Sequence, residues 1–338
     1  MDKELETLIH RLGDNRGGCE DKCLDLQTLK FATKEGEMRL YNESHSYYFK
    51  YDPKNPKDAK VTHAAKQFCG LMEVPFPFFF KNPEFMKNEM VNCWLPTISP
   101  EAATVMAKLR RAKEAENYII RAILPVEFAN IMDVDVMTMV GEAVGDCFRT
   151  EFIIGDGRDD LLLHVRFVHK DEFEVCGESC STGFSVMTSE LGGAPFTVET
   201  LLFRNSSKAS MLASYLGGPY FESDYTGIQP ADLKALFPKL LDRLTQQLPQ
   251  LKDRIYAAKS KVTKKEDVKQ LLGSLHLRKG LNDKFHRRLF QEIEKNPVEN
   301  RWEFVNRMAI LAKDFDAKRR LTIERVAGEM IDLMFEKD

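Results

Sequence analysis

Three aspartates fall close together in the string GDGRDD at 155 to 160: Asp156, Asp159 and Asp160. Carboxylates grouped this way can hold Mg2+ against a phosphodiester, the chemistry of a metal-dependent nuclease. The string also lies between two β-prone runs, and Asp and Gly supply the backbone geometry of a hairpin, so a turn is its expected role. Among the seven cysteines, Cys19/Cys23 and Cys176/Cys180 share one spacing and could together give four thiolates to a zinc ion. Structural zinc sites favour two intervening residues instead of three, and the scatter of the remaining cysteines makes no disulfide framework. Reduced thiols are the expectation. The histidines (His10, His45, His63, His164, His169, His276 and His286) are dispersed, and none pairs with another at ligand spacing on a helix face. Walker, HExxH, GxSxG and dinucleotide fingerprints are all missing. These residues point to a protein that is not an enzyme and carries no cofactor.

Charge is more informative than catalytic groups. The net charge of the chain is -3, yet residues 252 to 290 hold 12 Lys and Arg against four Asp and Glu, which is +8 and leaves -11 for the rest. An excess of this kind within one chain suits a polyanion, and phosphate binding needs positive charge on one surface more than it needs a fixed motif. The Phe-rich run VPFPFFFK at 74 to 81 could stack on unpaired bases, but closely spaced Phe and Pro are more often a buried connection.

Hydrophobic periodicity places these groups on elements. Lys3 to Leu12 reads as a helix, and YNESHSYYFKYD at 41 to 52 as an aromatic-rich strand. Helices are expected over Asp58 to Leu71, after the Asn82-Pro83-Glu84 cap, and from Ser99-Pro100-Glu101 to about Glu116. YIIRAIL at 118 to 124 is a strand stopped by Pro125, and 133 to 148 an amphipathic helix. In LLLHVRFV, 161 to 168, alternation turns Leu161, Leu163, Val165 and Phe167 to a core and His164 and Arg166 to a mixed, basic face. The stretch GFSVMTSELGGAPFTVETLLFR at 183 to 204 is a hairpin turning at Gly192-Gly193, with Phe184, Val186, Phe196, Val198 and Leu202 packing inward. From 231 onward helical periods dominate, with one long helix expected over 301 to 335. The fold class is α+β: a central, mostly antiparallel sheet flanked by helices, with a helical C-terminal region. The expected divisions are an N-terminal helical segment at 1 to 40, an α+β core domain at 41 to 228, and a helical region at 229 to 338 containing the basic segment. No apolar run reaches 18 residues, and the first residues mix charges, so neither a membrane span nor a secretory signal is expected and the location is read as cytoplasmic.

Four segments, in order, resemble the phage- and plasmid-like protein family of unknown function carried by prophages, plasmids and large phages. They are THAAKQFCGLMEVPFPFFFKNPEFMKNEMVNCWL (62 to 95), YIIRAILPVEFANIMDVDVM (118 to 137), the hairpin at 183 to 204, and RWEFVNRMAILAKDFDAKRRLTIERVAGEM (301 to 330). Within the hairpin the chain keeps Gly183, Ser189, Glu190, Gly192 and Arg204. It departs at Phe184, at Thr188 where Asn is typical, and in FRNSSKASM (203 to 211), which replaces a Cys-Thr-Asn-Gly turn. The resemblance implies mobile-element DNA metabolism, in the host cytoplasm if phage-encoded, and brings no catalytic residue.

The expected function is therefore binding or annealing of single-stranded nucleic acid in recombination or replication, by a homo-oligomer. Phosphate contacts are assigned to Arg166, Arg204, Lys208, Lys261, Lys264, Lys265, Arg278, Lys279, Arg287 and Arg288. The alternatives are an assembly or host-interaction protein that needs no nucleic acid, and the metal-dependent nuclease built on Asp156, Asp159 and Asp160.

Overall fold

The computed structural model describes residues 1–49, 59–112, 116–155, 161–212, 221–260, 268, 270, 272–273, 275, 281 and 283–332. The fold is α+β, but its strands form two sheets instead of one central sheet. The first contains β1 (Cys19–Asp25), β2 (Lys30–Lys34), β3 (Glu37–Tyr41), β4 (Ser46–Phe49), β5 (Thr104–Arg111) and β6 (Asn117–Pro125). Their order is β1-β5-β6-β4-β3-β2, antiparallel except where β4 meets β6. Alternation sends Phe31, Met38, Leu40, Tyr47, Phe49, Val105, Ala107, Leu109 and Ile120 to one face, where they form a core with Ala64, Ala65, Phe68, Phe79 and Val91. These last residues come from α2 (Ala59–Leu71), α3 (Phe76–Lys81) and α4 (Glu84–Trp94). The edge strand β2 is protected by α4: Asn92 Oδ1 accepts from Phe31 N at 2.9 Å, and Asn88 Oδ1 from Thr33 N at 2.7 Å. Side-chain amides thus satisfy an edge that would otherwise be open to a further strand.

The second sheet contains β7 (Phe148–Ile154), β8 (Leu163–His169), β9 (Phe173–Val175), β10 (Glu178–Thr188), β11 (Phe196–Arg204), β12 (Ala209–Leu212) and β13 (Phe221–Ser223). The path is β12-β11-β10-β8-β7, with β13 added to β11 and β9 to β10. Phe167, Phe184, Val165, Val186, Phe196 and Val198 pack with α1 (Lys3–Asn15), α6 (Asp133–Val144) and the start of α7 (Pro230–Ser260). Leu202 instead joins a cluster built with the end of α7 and with α8 (Asp283–Lys295), α9 (Arg301–Ala312) and α10 (Ala317–Asp332).

Several local expectations differ from this arrangement. Of the N-terminal segment at 1 to 40, only α1 is helical; residues 19 to 41 are strands and a short turn, and a boundary at 40 falls inside β3. The helix expected from Ser99 stops after α5 (Pro100–Ala103), because Val105, Ala107 and Leu109 bury their alternate side chains between β1 and β6. Strand pairing has overridden the cap signal. The Phe run is not a buried connection: it forms α3, with Phe79 buried but Phe78 56% exposed. The helix expected over 301 to 335 breaks at Asp316, whose carboxylate accepts from Arg319 N at 3.1 Å and starts a new helix. The GDGRDD aspartates at 156 to 160 lie outside the described residues. Among the described residues, no helix is long and apolar enough to cross a membrane.

Candidate nucleic-acid interface

Arg166 is not at a surface. It lies on the second face of β8, 2% exposed, where Nη1 donates to Ser210 Oγ at 2.6 Å and to Glu324 Oε1 at 3.1 Å, and Nη2 pairs with Glu324 Oε2. The carboxylate comes from α10, which also aims Arg320 at Glu324 (2.9 Å) and clamps Arg325 onto Glu199 of β11 with two bonds of 2.8 Å. His164 shares this face, with Nε2 2.5 Å from Ser185 Oγ. Burial, followed by Arg166, Arg325 and Arg320, holds its imidazole neutral, far below the ordinary histidine range. The face read as mixed and basic is therefore a second buried layer, and Arg166 cannot meet phosphate because a carboxylate already occupies it. The assignment of Arg204 changes for the same reason: it is 8% exposed, and its Nε lies 2.6 Å from Glu178 Oε2.

Among the remaining assigned residues, Lys208 is exposed in the β11–β12 turn at φ 49, and Arg287 is exposed on α8. Arg288 is engaged by Asp314 at 2.5 Å and stands over the Phe315 ring. Lys261, Lys264, Lys265, Arg278 and Lys279 lie outside the described residues. The structure thus does not bring Arg166, Arg204 and Arg287 to one surface. On α8, Phe285, Leu289 and Ile293 recur every fourth residue and are buried, which turns Arg287, Phe290 (45% exposed) and Gln291 outward. These three, with His286 and Leu272, line a shallow recess. A guanidinium beside an exposed ring and an amide suits a phosphate with its neighbouring base.

The hairpin at 183 to 204 has a structural task. Its tip, Thr188 to Gly193, joins the two sheets. Asp133 Oδ1 accepts from Thr188 Oγ1 at 3.0 Å and from Glu190 N at 3.2 Å; Tyr225 Oη accepts from Ser189 N at 2.6 Å. Glu190 forms a 2.9 Å ion pair with Arg121 of β6, and Leu191 O receives Gln67 Nε2 at 3.1 Å and lies 2.8 Å from His63 Nε2. Burial, reinforced by the Glu190 charge, raises the Asp133 carboxyl from 3.8 to about 7. Gly192 sits at φ 68, where a Cβ would come within 2.6 Å of Leu124. Asp133, Thr188, Ser189 and Glu190 are all nearly fully buried, so this cluster fastens the fold and does not meet a ligand.

One surface was missed. Pairing register puts Lys30, Ala32 and Lys34 of β2, Glu37, Arg39 and Tyr41 of β3, Ser46 and Tyr48 of β4 and Ile119 of β6 on the face of the first sheet away from α2 to α4. The alternation in KFATK, EMRLY and SYYF carries this signal, against the helical segment expected at 1 to 40. The cysteine pairs occupy different sheets, and no group of three or more His, Cys, Asp or Glu able to hold a metal occurs among the described residues. Comparison with family models, curated proteins and solved structures returned no match.

Proposed function

We propose that this chain is a non-enzymatic nucleic-acid-binding protein that holds or anneals unpaired strands as an oligomer, in the recombination or replication of a phage or related mobile element. The observation that carries the reading is the outward face of α8, where Arg287 and the exposed Phe290 stand together in the +8 segment at 252 to 290. Positive charge supplies affinity for phosphate and the ring supplies a stacking surface. Gel-shift titration with a single-stranded oligonucleotide at low and moderate salt is expected to show binding that weakens as salt rises. Arg287→Ala is expected to weaken it several-fold. Absence of binding at either salt rejects the reading.

A second reading, self-assembly or attachment to a partner without nucleic acid, is favoured by Phe78, Phe85 and Met86 on the successive helices α3 and α4. They are 56%, 67% and 42% exposed, an apolar display of the kind that interfaces cover. Size-exclusion mass measured with absorbance at 260 and 280 nm separates the two. An oligomer free of nucleic acid and unchanged by nuclease supports the second; co-purified nucleic acid supports the first.

A further inference from the structure

The free face of the first sheet has an unusual composition for a solvated surface. Register aligns Ala32, Arg39, Tyr48 and Ile119 in one row across β2, β3, β4 and β6, and all four are half-buried. Tyr41 stands next to Arg39 along its own strand face. The Arg39 guanidinium lies 5.1 Å from the Tyr41 ring centre and 5.9 Å from that of Tyr48, and Nη1 donates to Tyr48 Oη at 3.2 Å. Three planar groups are thus held side by side by strand spacing. Among the described residues no carboxylate pairs with Arg39. Toward the β1-β5-β6 end the same face is closed: Arg121 meets Glu190, and Lys108 Nζ donates to Asp21 Oδ2 and Asn130 Oδ1, each at 2.7 Å. The open half carries Lys30, Lys34 and Arg39 against Glu37, leaving it positive. Aromatic rings and a guanidinium that no carboxylate among the described residues neutralises, on a positive sheet face, fit a ligand that offers flat rings and negative charge together.

We infer that this face is a second nucleic-acid site, on which Tyr41 and Tyr48 stack against unpaired bases while Arg39, Lys30 and Lys34 take the phosphates. The inference rests on the nucleic-acid reading and adds to it a second stacking surface, on the first sheet instead of on α8. Stacking on protein rings requires bases freed from a duplex, so the occupant is single-stranded, and every base offers a face of this kind. DNA and RNA share this chemistry.

The test is fluorescence-anisotropy titration of the full chain with oligothymidylate, with oligouridylate, and with an abasic oligonucleotide of equal length that keeps the phosphates but has no bases. The protein is expected to bind oligothymidylate roughly ten-fold or more tightly than the abasic strand, the effect of one stacked base. In a Phe290→Leu background, which removes the ring on α8, the double variant Tyr41→Leu/Tyr48→Leu is expected to abolish that preference while keeping the background's affinity for the abasic strand, which also reports that the variant is folded. Tyr41→Phe/Tyr48→Phe is expected to restore the preference, because the ring is what stacks. Oligouridylate binding as tightly as oligothymidylate supports a site blind to the sugar; a preference for one of them that the leucine variant removes supports the site and names its source. Equal binding of the base-containing and abasic strands by wild type overturns the stacking site and leaves phosphate binding by the basic segment intact. A base preference that survives the leucine substitutions also overturns it, and binding to none of the strands overturns both.

Discussion

Arg39 and Arg166 both stand in the middle of a strand, each between two buried apolar residues, yet the two sheets use them in opposite ways. Arg39 on β3 is half-exposed between two tyrosine rings and, among the described residues, has no carboxylate partner. Arg166 on β8 is almost completely buried and bound to Glu324, 158 positions away in the chain. The difference comes from what covers each sheet. The first is layered on one face by α2 to α4, and on half of its other face Ala32, Arg39, Tyr48 and Ile119 stay half-buried. The second is enclosed on one face by α1, α6 and α7, while α10 brings Arg320, Leu321, Glu324 and Arg325 against the other. An arginine on a strand is therefore a ligand contact or a structural ion depending on whether a distant helix brings a carboxylate to it. Burying a charge without a partner is too costly for the fold to tolerate, so coverage and pairing arrive together.

Substitutions can break this contrast. The largest effect is expected for Glu324→Ala, which leaves Arg166 and Arg320 facing each other without their carboxylate: about 3–5 kcal/mol of unfolding free energy should be lost in urea titration. Arg39→Ala should stay within about 0.5 kcal/mol of wild type, as a half-exposed side chain outside any ion pair does. Similar losses for both would mean that the two faces are not different in kind. Next in size is Gly183→Ala. A Cβ there would overlap the Phe167 carbonyl on the neighbouring strand, and overpacking should cost about 1–3 kcal/mol. In the β2–β3 turn of the first sheet, Gly36→Ala meets open space and strains only a backbone at φ 85, so about 1 kcal/mol is expected.

An effect as modest as that of Gly36→Ala concerns the junction between the sheets. The Asp133 carboxyl is raised in the fold from 3.8 to about 7, chiefly by burial. Its neutral form favours folding, so that contribution is present in full below the unfolded value and is lost as pH rises toward about 7. Between pH 6 and pH 8 the loss should be about 1 kcal/mol. Asp133→Asn should flatten this slope in urea midpoints measured across the same range. A slope that persists in the variant would assign it to another group.

Much of the architecture was legible because it depends on local periods. The helices around Leu5, Leu8 and Leu12 and around Ala64, Ala65 and Phe68 appear where spacing placed them, and so does the hairpin, with Phe184, Val186, Phe196 and Val198 in the core. The misses share a cause. TVMAKLRR at 104 to 111 has enough Ala, Leu and Arg to continue a helix from Ser99, and becomes β5 because β1 and β6 offer pairing from both sides. The candidate site was less legible still. Arg166 and Arg204 carry charge on a strand, and nothing near either one in the chain announces Glu324, or shows that the pairing of β10 with β11 sets Glu178 beside Arg204. Arg39 falls inside the helical segment expected at 1 to 40, and pairing with β2 and β4 makes its stretch a strand.

The sequence by itself determined the α+β class, the turn at Gly192-Gly193, the helical character of the C-terminal region and the basic excess at 252 to 290. Each of these follows from side-chain period, backbone freedom or charge counted over a short span. Tertiary structure alone decided which charges are available. It divided the strands into two sheets, set the hairpin tip against Arg121, closed α10 over Arg166, and left Arg39, Tyr41 and Tyr48 on an open face. A residue's type determines what it can bind; its distant neighbours, brought near by packing, determine whether it is already bound.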